Sequence, residues 1–328
     1  METSMKPILS ARNVKKHFPM NKGLFNRNPL SVKAVDDVSF DLNSGETLGI
    51  VGESGCGKST LGRTMLQLHQ PTGGEVFIDG ENFFDLTGDK LFQKRKEFQI
   101  IFQDPYASLN PRMTVYEIIK EPMDIHNVHK PEDRLDKVIE IMKTVGLRQD
   151  VINRYPHEFS GGQRQRIGIA RTLALNPKII IADEPVSALD VSVQSQVLNL
   201  IKKLQKEFGI SFIFISHDLA VIQHICHNVG VMYLGKIVEK ADTETLFKSP
   251  KHPYTKALLS AIPIPDPNRK SKRLILEGDV PSPINPPSGC PFHPRCPEAT
   301  EQCKTAVPQL RKISQKGAPD QEVACHLV

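Results

Sequence analysis

A glycine-rich octapeptide in the first quarter of the chain reads Gly52-Glu53-Ser54-Gly55-Cys56-Gly57-Lys58-Ser59. It fits the phosphate-loop pattern G-x-x-x-x-G-K-[ST], with the apolar run Thr47–Val51 before it and a helix-capable segment over 59–69 after it. Glycines let backbone N–H groups face phosphate oxygens, and the N-terminus of the following helix adds a positive dipole. The sequence therefore predicts a nucleotide phosphate site on a strand–loop–helix unit.

Several residues of this loop have predicted roles that follow from their chemistry. Lys58 supplies a positive charge to the β- and γ-phosphates, and Ser59 supplies a hydroxyl ligand for Mg²⁺. Thr60 joins them in the predicted nucleotide contacts. Cys56 lies beside the helix N-terminus, a position that can lower the pKa of a thiol, so we expect maleimide to inactivate the protein and bound nucleotide to protect it.

Strand-like and helix-like segments alternate along the chain on both sides of this loop. Apolar runs or alternating apolar positions predict strands over 32–42, 47–51, 178–182 and 210–215. Helices are predicted over 134–145, where apolar residues recur at helical spacing, and over 191–208. Such alternation is typical of an α/β domain with a largely parallel sheet.

Composition and charge suit an ordinary globular protein. Hydrophobic residues make up 39% and charged residues 24% of the 328-residue chain. The net charge of +5 gives a mild preference for acidic partners, which nucleotide phosphates would satisfy. No apolar run approaches the ~18 residues that cross a bilayer, and the segment from Met1 to Ser10 lacks an apolar signal core. Any role at a membrane is therefore expected to need a partner.

Two carboxylates follow an apolar run that ends at Ala182. Open α/β sheets bind ligands at the carboxyl ends of their strands, so Asp183 and Glu184 are both expected to reach the ligand. Asp183 is the Mg²⁺-side carboxylate expected of a P-loop nucleoside triphosphatase. Glu184 is the candidate general base, or the group that polarises the attacking water.

A second glycine-containing segment reads Ser160-Gly161-Gly162-Gln163 and precedes a helix-capable stretch over 164–175. Its hydroxyl and N–H groups at a helix N-terminus predict a second anion site, although Ser160 could equally be a simple helix cap. Two phosphate-type sites with a single lysine-bearing loop indicate that the second site serves a nucleotide held by a partner copy.

The order of these motifs resembles that of ABC transporter ATPases. The octapeptide resembles the Walker A motif, 179–183 resembles Walker B, and 160–163 matches the family signature. The remaining family positions are the Q-loop glutamine, the D-loop aspartate, the switch histidine and the adenine-stacking aromatic, represented here by Gln103, Asp190, His217 and Phe18, with His17 as a neighbouring candidate for the last.

The resemblance implies a fold, a domain organisation and a mechanism. It implies a P-loop, ABC-type nucleotide-binding domain over 1–262 with a helical signature subdomain over about 104–176. Two such subunits would sandwich two ATPs, each between the Walker A loop of one subunit and the signature of the other. Glu184 would activate water, His217 would contact the γ-phosphate, and Gln103 would touch Mg²⁺ or water and relay the nucleotide state. Because the catalytic positions are intact, we expect ATP hydrolysis rather than a regulatory subunit with inactive sites.

A proline-rich tail over 263–328 resembles the C-terminal extension of oligopeptide and dipeptide importer ATPases. Proline fixes φ and lacks a donor, so long helices and central strands are not expected there. The prolines and the segments that carry the resemblance are Pro263, Pro265, Pro267, Pro281, Pro283, Pro286, Pro287, residues 252–259, residues 281–283 and the region around Cys290.

The importer resemblance implies partners and a location. They are a second, homologous ATPase, two transmembrane permease subunits and an extracellular or periplasmic peptide-binding protein, with this chain at the cytoplasmic face of the membrane and no nucleic acid. Residues 186–192 resemble the F-type member of the ATPase pair. A nickel importer of the same subfamily remains an alternative, as does a soluble ABC ATPase acting on nucleic acid, although that class usually carries two cassettes or a long coiled coil.

Four of the six cysteines fall at the end of the chain, with spacings C-x5-C-x6-C-x21-C, namely Cys290, Cys296, Cys303 and Cys325. This spacing lacks the C-x2-C pair of common zinc sites. Four thiolates suit Zn²⁺ or a [4Fe–4S] cluster, and four unligated thiols are the alternative. The importer resemblance favours the cluster, in a structural role that holds down the proline-rich tail. Cys226 is expected to be a buried structural thiol.

Overall fold

The computed structural model describes residues 6–20, 30–262, 274–313 and 320–328. Its strands, in chain order, are β1 (Leu9–Pro19), β2 (Ser31–Leu42), β3 (Thr47–Val51), β4 (Gly73–Ile78), β5 (Glu81–Asn82), β6 (Phe98–Ile101), β7 (Ile179–Asp183), β8 (Ser211–Ser216), β9 (Asn228–Tyr233), β10 (Lys236–Asp242), β11 (Arg311–Ile313) and β12 (Gln321–Val323). Its α-helices are α1 (Lys58–Met65), α2 (Gly88–Lys94), α3 (Val115–Ile125), α4 (Arg134–Thr144), α5 (Gly161–Leu173), α6 (Val191–Phe208), α7 (Leu219–Ile225), α8 (Thr243–Lys248), α9 (Pro253–Ser260) and α10 (Glu301–Thr305).

The chain divides into two compact units. The first combines residues up to Leu42 with Thr47–Phe84 and Ile215–Val328, and the second combines Asn43–Glu46 with Asp85–Phe214. Both units are therefore built from segments that are distant in the sequence.

The first unit contains strands of both orientations. An antiparallel sheet has the order β2-β1-β4-β5, and a further set has the order β11-β12-β10-β9-β3. Every residue of β3 is buried, and β3 pairs in parallel with β9 so that Val51 lies opposite Val231. This apolar pairing fixes the end of β3, the point from which the glycine-rich loop leaves the strand.

The second unit places β7 between β6 and β8, with α3 to α6 in the same unit. β6 and β7 pair in parallel, and all five residues of β7 are buried. A capping box begins α3, because the Thr114 side chain accepts from the N–H of Glu117 while the Glu117 side chain accepts from the N–H of Thr114. Gly209, with a φ of 66°, ends α6 in the left-handed conformation that glycine favours.

The predicted elements correspond closely to the observed ones. β3 and α6 have the predicted bounds, and the other predicted strands differ by one residue at their ends. Two helices differ more. α1 ends at Met65 rather than at residue 69, because Gln67 turns to a left-handed φ of 53°. α5 begins at Gly161 rather than at residue 164, because Ser160 caps it.

The prediction of a largely parallel sheet is wrong for the first unit. β3–β9 and β6–β7 are parallel, but β1–β2, β1–β4, β9–β10 and β10–β12 are antiparallel. Short connections explain part of the difference. Leu234 and Gly235 join β9 to β10 with positive φ values of 44° and 81°, a geometry that makes a tight hairpin.

The described part of the C-terminal tail contains only short regular elements. α10 has five residues, and β11 and β12 have three each. The predicted domain boundary after residue 262 borders residues 263–273, which lie outside the described residues and include Pro263, Pro265 and Pro267. Within the part of the chain that the structure describes, no helix combines the length and the apolar character that a membrane span requires.

Candidate nucleotide-binding site

The glycine-rich loop leaves β3 at Gly52 and enters α1 at Lys58. Gly57 is the N-cap of α1 and has a φ of 106°, which residues with a side chain rarely tolerate. A Cβ atom at Gly57 would lie 1.9 Å from the carbonyl oxygen of Ala34, so the loop backbone packs too closely for any other residue. The chain thus turns its backbone into the helix N-terminus in the manner that phosphate binding requires.

Lys58 lies against the loop that precedes it. Its Nζ donates hydrogen bonds to the carbonyl oxygens of Gly52 at 2.8 Å and Glu53 at 2.9 Å, and the residue is only 4% exposed. A buried ammonium held by two neutral carbonyls keeps most of its charge available for an anion. The position therefore suits the predicted contact with phosphate.

Cys56 differs from its predicted behaviour. The residue is 4% exposed, and burial raises the pKa of its thiol, although nearby Lys58 opposes the rise. The prediction of a lowered pKa is wrong, because desolvation of the thiolate outweighs the helix N-terminus and the lysine. Cys226 is buried, as predicted.

Glu53 has two partners that the sequence did not predict. Its N–H donates to the Tyr254 hydroxyl at 2.9 Å. Its carboxylate accepts two hydrogen bonds from Arg295, at 2.7 and 3.0 Å. The only signals in the sequence are the segments around residues 252–259 and Cys290, which indicate the family resemblance but no contact with the loop.

The two aromatic candidates for adenine stacking differ in their surroundings. The Nε2 of His17 pairs with the Asp36 carboxylate at 3.1 Å. Phe18 is half-buried, with Lys16 Nζ 4.6 Å from its ring centroid and the His69 ring edge-on at 5.5 Å. Because His17 is engaged by a carboxylate, Phe18 is the better candidate for a stacking surface.

The second unit holds the two carboxylates at the end of β7. Asp183 is fully buried, and Glu184 is half-buried. Glu184 has a left-handed φ of 46°, which is uncommon for a residue with a side chain and redirects the chain straight after the strand. The side-chain amide of Gln103 donates to the Glu184 carboxylate at 2.9 Å. The structure therefore brings together the predicted Q-loop glutamine and the predicted base.

Ser160 caps α5 in addition to its predicted role at an anion site. The Gln163 N–H donates to the Ser160 hydroxyl at 3.4 Å, and the Ser160 N–H donates to the Gln163 side chain at 3.1 Å. Gly162 has a separate reason to be glycine, because a Cβ atom there would lie 2.2 Å from Val193 Cγ1. Packing of α5 against α6 thus excludes a side chain at this position.

Asp190 and His217 lie at the starts of two further helices. Asp190 accepts from the Ser192 hydroxyl at 2.7 Å and from the Val193 N–H at 3.0 Å, and these bonds, the first above all, lower its pKa. Asp190, the predicted D-loop aspartate, is therefore the N-cap of α6. His217 is exposed and lies between β8 and Asp218, the N-cap of α7.

The four C-terminal cysteines lie near one another in the first unit. All four are free thiols, and three are buried while Cys296 is half-buried. The Cys290 N–H donates to the Cys303 carbonyl at 2.8 Å. Burial raises the pKa of Cys290 to about 11, and the thiols of Cys303, Cys325 and Cys296 add to the rise. Among residues 6–20, 30–262, 274–313 and 320–328, no group of three or more His, Cys, Asp or Glu side chains is arranged to hold a metal ion, so the metal stays a prediction.

Comparison with known proteins places this geometry in a family. A family model described as "ABC transporter" matches residues 35–187, and one described as "Oligopeptide/dipeptide transporter, C-terminal region" matches residues 238–303. The oligopeptide transport ATP-binding protein AppF of Bacillus subtilis is 55% identical over 98% of this chain and 97% of its own length. The dipeptide transport ATP-binding protein DppF of Haemophilus influenzae is 54% identical over 93% of each chain.

This chain belongs to the oligopeptide and dipeptide branch of the ABC transporter ATP-binding proteins. Solved structures agree on the cassette fold. A dimer of the ATP-binding cassette MJ0796 in a post-hydrolysis state with ADP and Pi has a TM-score of 0.63 and 31% identity, covering 72% of this chain and 98% of that one. The structure of cbiO1 from Clostridium perfringens has a TM-score of 0.63 and 27% identity, and the match covers 74% of this chain and 91% of that one. The chain is an ABC ATPase, and the predicted ATP hydrolysis and ABC-type cassette fold are confirmed.

Proposed function

We propose that this ABC ATPase powers the uptake of oligopeptides or dipeptides from the cytoplasmic face of the cell membrane. The observation that carries the proposal is the match of residues 238–303 to the C-terminal region of oligopeptide and dipeptide transporters. The relatives that are more than half identical over nearly the whole chain are named for transport of the same substrates. Neither nickel nor nucleic acid is named for them.

The proposed nucleotide site uses the residues predicted from the motifs. Lys58, the N–H groups of the loop from Gly52 to Thr60 and the ring of Phe18 bind ATP. Ser59, Gln103 and Asp183 are the groups that suit Mg²⁺, since hydroxyl, amide and carboxylate oxygens are the ligands it prefers. The proposal is supported by the buried lysine and by the close backbone packing at Gly57.

The proposed chemistry is attack of water on the γ-phosphorus, which breaks the bond to the oxygen bridging the β- and γ-phosphates and releases ADP and inorganic phosphate. Glu184 polarises that water or accepts its proton, and Gln103 orients the Glu184 carboxylate through its amide. His217 contacts the γ-phosphate and stabilises the charge that develops there. A change in nucleotide state alters the contacts of Gln103, and this change relays the nucleotide state to the membrane subunits.

The proposed assembly pairs this chain with a second ATPase. Each nucleotide lies between the Lys58 loop of one protomer and Ser160 to Gln163 of the other, and Asp190 lies on the same shared face. Support comes from the exposed Ser160 at the N-terminus of α5 and from the dimeric state of the related MJ0796 cassette. The F-type assignment rests on residues 186–192, since the names of similar relatives include YkfD as well as AppF and DppF.

The function is tested by purifying the chain from its native membrane with its partners. We expect two polytopic permeases, a second ATPase and, in the reconstituted system, a peptide-binding protein whose addition stimulates ATP hydrolysis and peptide uptake into vesicles. Recovery with ribosomes or DNA instead would contradict the proposal. Stimulation of ATP hydrolysis by nickel and not by peptides would instead support the alternative of a nickel importer.

The dimer is tested by cross-linking. A photoreactive probe attached at Ser160→Cys is expected to react with the phosphate loop of the partner ATPase when ATP is present and Glu184 is replaced by Gln. The yield with ADP should be lower, because ATP binding closes the interface. A yield that never responds to ATP would contradict the shared site.

We also propose that Cys290, Cys296, Cys303 and Cys325 hold a [4Fe–4S] cluster. Support comes from the chemistry of the donors, because thiolates ligate this cluster and the four free thiols lie near one another, although the described side chains are not arranged as a metal site. Its contribution would be structural, as a cross-link among four points of the proline-rich tail that holds the tail down. Iron, sulfide and visible absorbance are expected after anaerobic purification and should be lost in Cys296→Ser. A colourless protein with one equivalent of zinc would refute the iron assignment.

A further inference from the structure

Glu53 introduces a negative charge into a loop whose backbone geometry suits anions. The residue follows Gly52 directly, and its own carbonyl oxygen accepts from Lys58. An unpaired carboxylate at this place would repel a nucleoside triphosphate and would compete with its phosphates for the positive charge of Lys58. The arrangement therefore needs a second cation, and none is present within the octapeptide.

That cation is Arg295, from the C-terminal tail. Its two terminal nitrogens donate to the two carboxylate oxygens of Glu53 at 2.7 and 3.0 Å. The side chains are only 7% and 27% exposed, so water and salt screen the pair weakly. A bidentate pair of this kind fixes direction as well as charge. It draws the carboxylate toward the tail.

Arg295 lies in a short turn of the tail that backbone hydrogen bonding and aromatic packing hold in place. His293–Arg295 forms one 3₁₀ turn, in which the Arg295 N–H donates to the carbonyl of Phe292 at 3.0 Å. Phe292 is 1% exposed, and its ring packs 5.4 Å from the ring of Tyr254. The guanidinium is therefore held by its backbone and by the aromatic packing just before it.

Tyr254 provides a second hold on the same loop residue. Its hydroxyl accepts from the Glu53 N–H at 2.9 Å, and its ring is fully buried against Tyr233 at 4.7 Å. Backbone and side chain of Glu53 are thus fixed by two separate groups, both contributed by residues C-terminal to β8. The orientation of Glu53 is set from outside the loop.

We propose that Arg295 is a positioning residue for ATP binding, which neutralises Glu53 and holds the phosphate loop in its binding conformation. The proposal rests on the proposed role of the Lys58 loop as the nucleotide site. It assigns the C-terminal tail a direct part in nucleotide affinity, in addition to the structural role proposed for its cysteines. Arg295 acts through Glu53 and does not itself touch the phosphates.

The test compares the affinity of the full-length chain for a non-hydrolysable ATP analogue with Mg²⁺ among matched variants. Arg295→Ala should weaken binding about tenfold, because it leaves the Glu53 charge uncompensated beside the anion. Adding Glu53→Gln to Arg295→Ala should restore most of that loss, because the charge that needed compensation is gone. Arg148→Ala, which removes an exposed arginine paired with Asp150, is the control and should not change the affinity.

Ionic strength separates this proposal from a purely structural role of the arginine. The defect of Arg295→Ala should shrink as salt is raised, since screening weakens the repulsion between Glu53 and the triphosphate. A salt-independent defect that Glu53→Gln does not relieve would overturn the proposal, as would wild-type affinity in Arg295→Ala. If Arg295→Ala does not fold, the same comparison is made with Arg295→Gln, which removes the charge but keeps a long polar side chain.

A separate variant distinguishes failure of this proposal from failure of the proposed site. Lys58→Ala should abolish analogue binding whatever residue occupies position 295. Analogue binding that survives Lys58→Ala would show that the loop is not the nucleotide site. Loss in Lys58→Ala together with wild-type affinity in Arg295→Ala would leave the site intact and remove only the role of Arg295.

Discussion

The side-chain amide of Gln103 donates a hydrogen bond of 2.9 Å to the carboxylate of Glu184. The contact follows from strand register. β6 and β7 pair in parallel with Ile101 opposite Ala182, so the two strands end at the same edge of the sheet, and Gln103 and Glu184 follow shortly after these ends. A glutamine and a glutamate that are 81 residues apart in the chain are thereby placed in one hydrogen-bonded pair.

Replacing Glu184 by Gln should nearly abolish ATP hydrolysis and leave ATP binding intact. The amide keeps the shape of the carboxylate but cannot accept a proton from the attacking water, a contribution typically of about 100-fold or more. Steady-state turnover and equilibrium ATP binding measure the two effects separately. Glu207→Gln, on the exposed end of α6, is the matched control. Normal turnover in Glu184→Gln would remove the residue from the role of base.

Replacing Gln103 by Ala should lower turnover by roughly tenfold, because Glu184 loses the amide that orients it. If Gln103 acts through Glu184, its removal should cost little more in a Glu184→Gln background than Glu184→Gln costs alone. Turnover of the two single variants and the double variant decides this point. Fully additive losses would show that Gln103 works independently of the glutamate.

Much of the cassette is predictable from its sequence, because its motifs combine strict residue types with short spacings. The loop from Gly52 to Ser59 combines several glycines and a lysine within eight residues, a pattern that is easy to recognise in a sequence. β3 and α6 have the bounds expected from apolar patterning, since a buried strand and an amphipathic helix leave strong periodic signals.

The features that escape prediction depend on contacts between distant segments. Arg295 pairs with Glu53 across 242 residues, and no local pattern indicates such a partner. The raised pKa of Cys56 reflects burial that only the folded chain creates. From the motif, Gly162 is expected to be glycine because of anion binding. The close approach of Val193 is by itself enough to exclude a side chain at this position. Each is a property of tertiary packing, which short motifs do not encode.

Replacing Gly162 by Ala should destabilise the protein by about 1–3 kcal/mol, the usual cost of overpacking, because the new Cβ would lie 2.2 Å from Val193 Cγ1. Adding Val193→Ala should recover part of this loss by removing the opposing methyl groups. Urea unfolding measures both effects. Gly168→Ala is the control on the same helix, since no heavy atom other than those of the adjacent helix backbone lies within 4 Å of the position that its Cβ would take, and alanine favours helix. Equal stability of Gly162→Ala and wild type would contradict this packing.

His252 should make the protein less stable as the pH falls from about 6.5 to about 4. Burial lowers the pKa of this histidine from 6.5 to about 4, with a smaller contribution from Lys256, so the folded state keeps it neutral while the unfolded state takes up a proton. The unfolded state therefore binds more protons in this range, and the free energy of unfolding should fall by roughly 3 kcal/mol toward its lower end. Above the unfolded pKa the contribution is constant.

A His252→Asn variant isolates this effect. Asparagine can still accept the hydrogen bond that His252 Nδ1 receives from the Tyr254 N–H, so the cap of α9 is kept while the titration is removed. Burial raises the pKa of neighbouring Glu239, whose contribution therefore runs in the opposite direction in both proteins and largely cancels in the difference. Urea unfolding between pH 4 and 7 should give a flatter stability profile for His252→Asn than for wild type. His157→Asn, at an exposed position, should retain the wild-type slope, and identical slopes in all three proteins would mean that folding does not lower the pKa of His252.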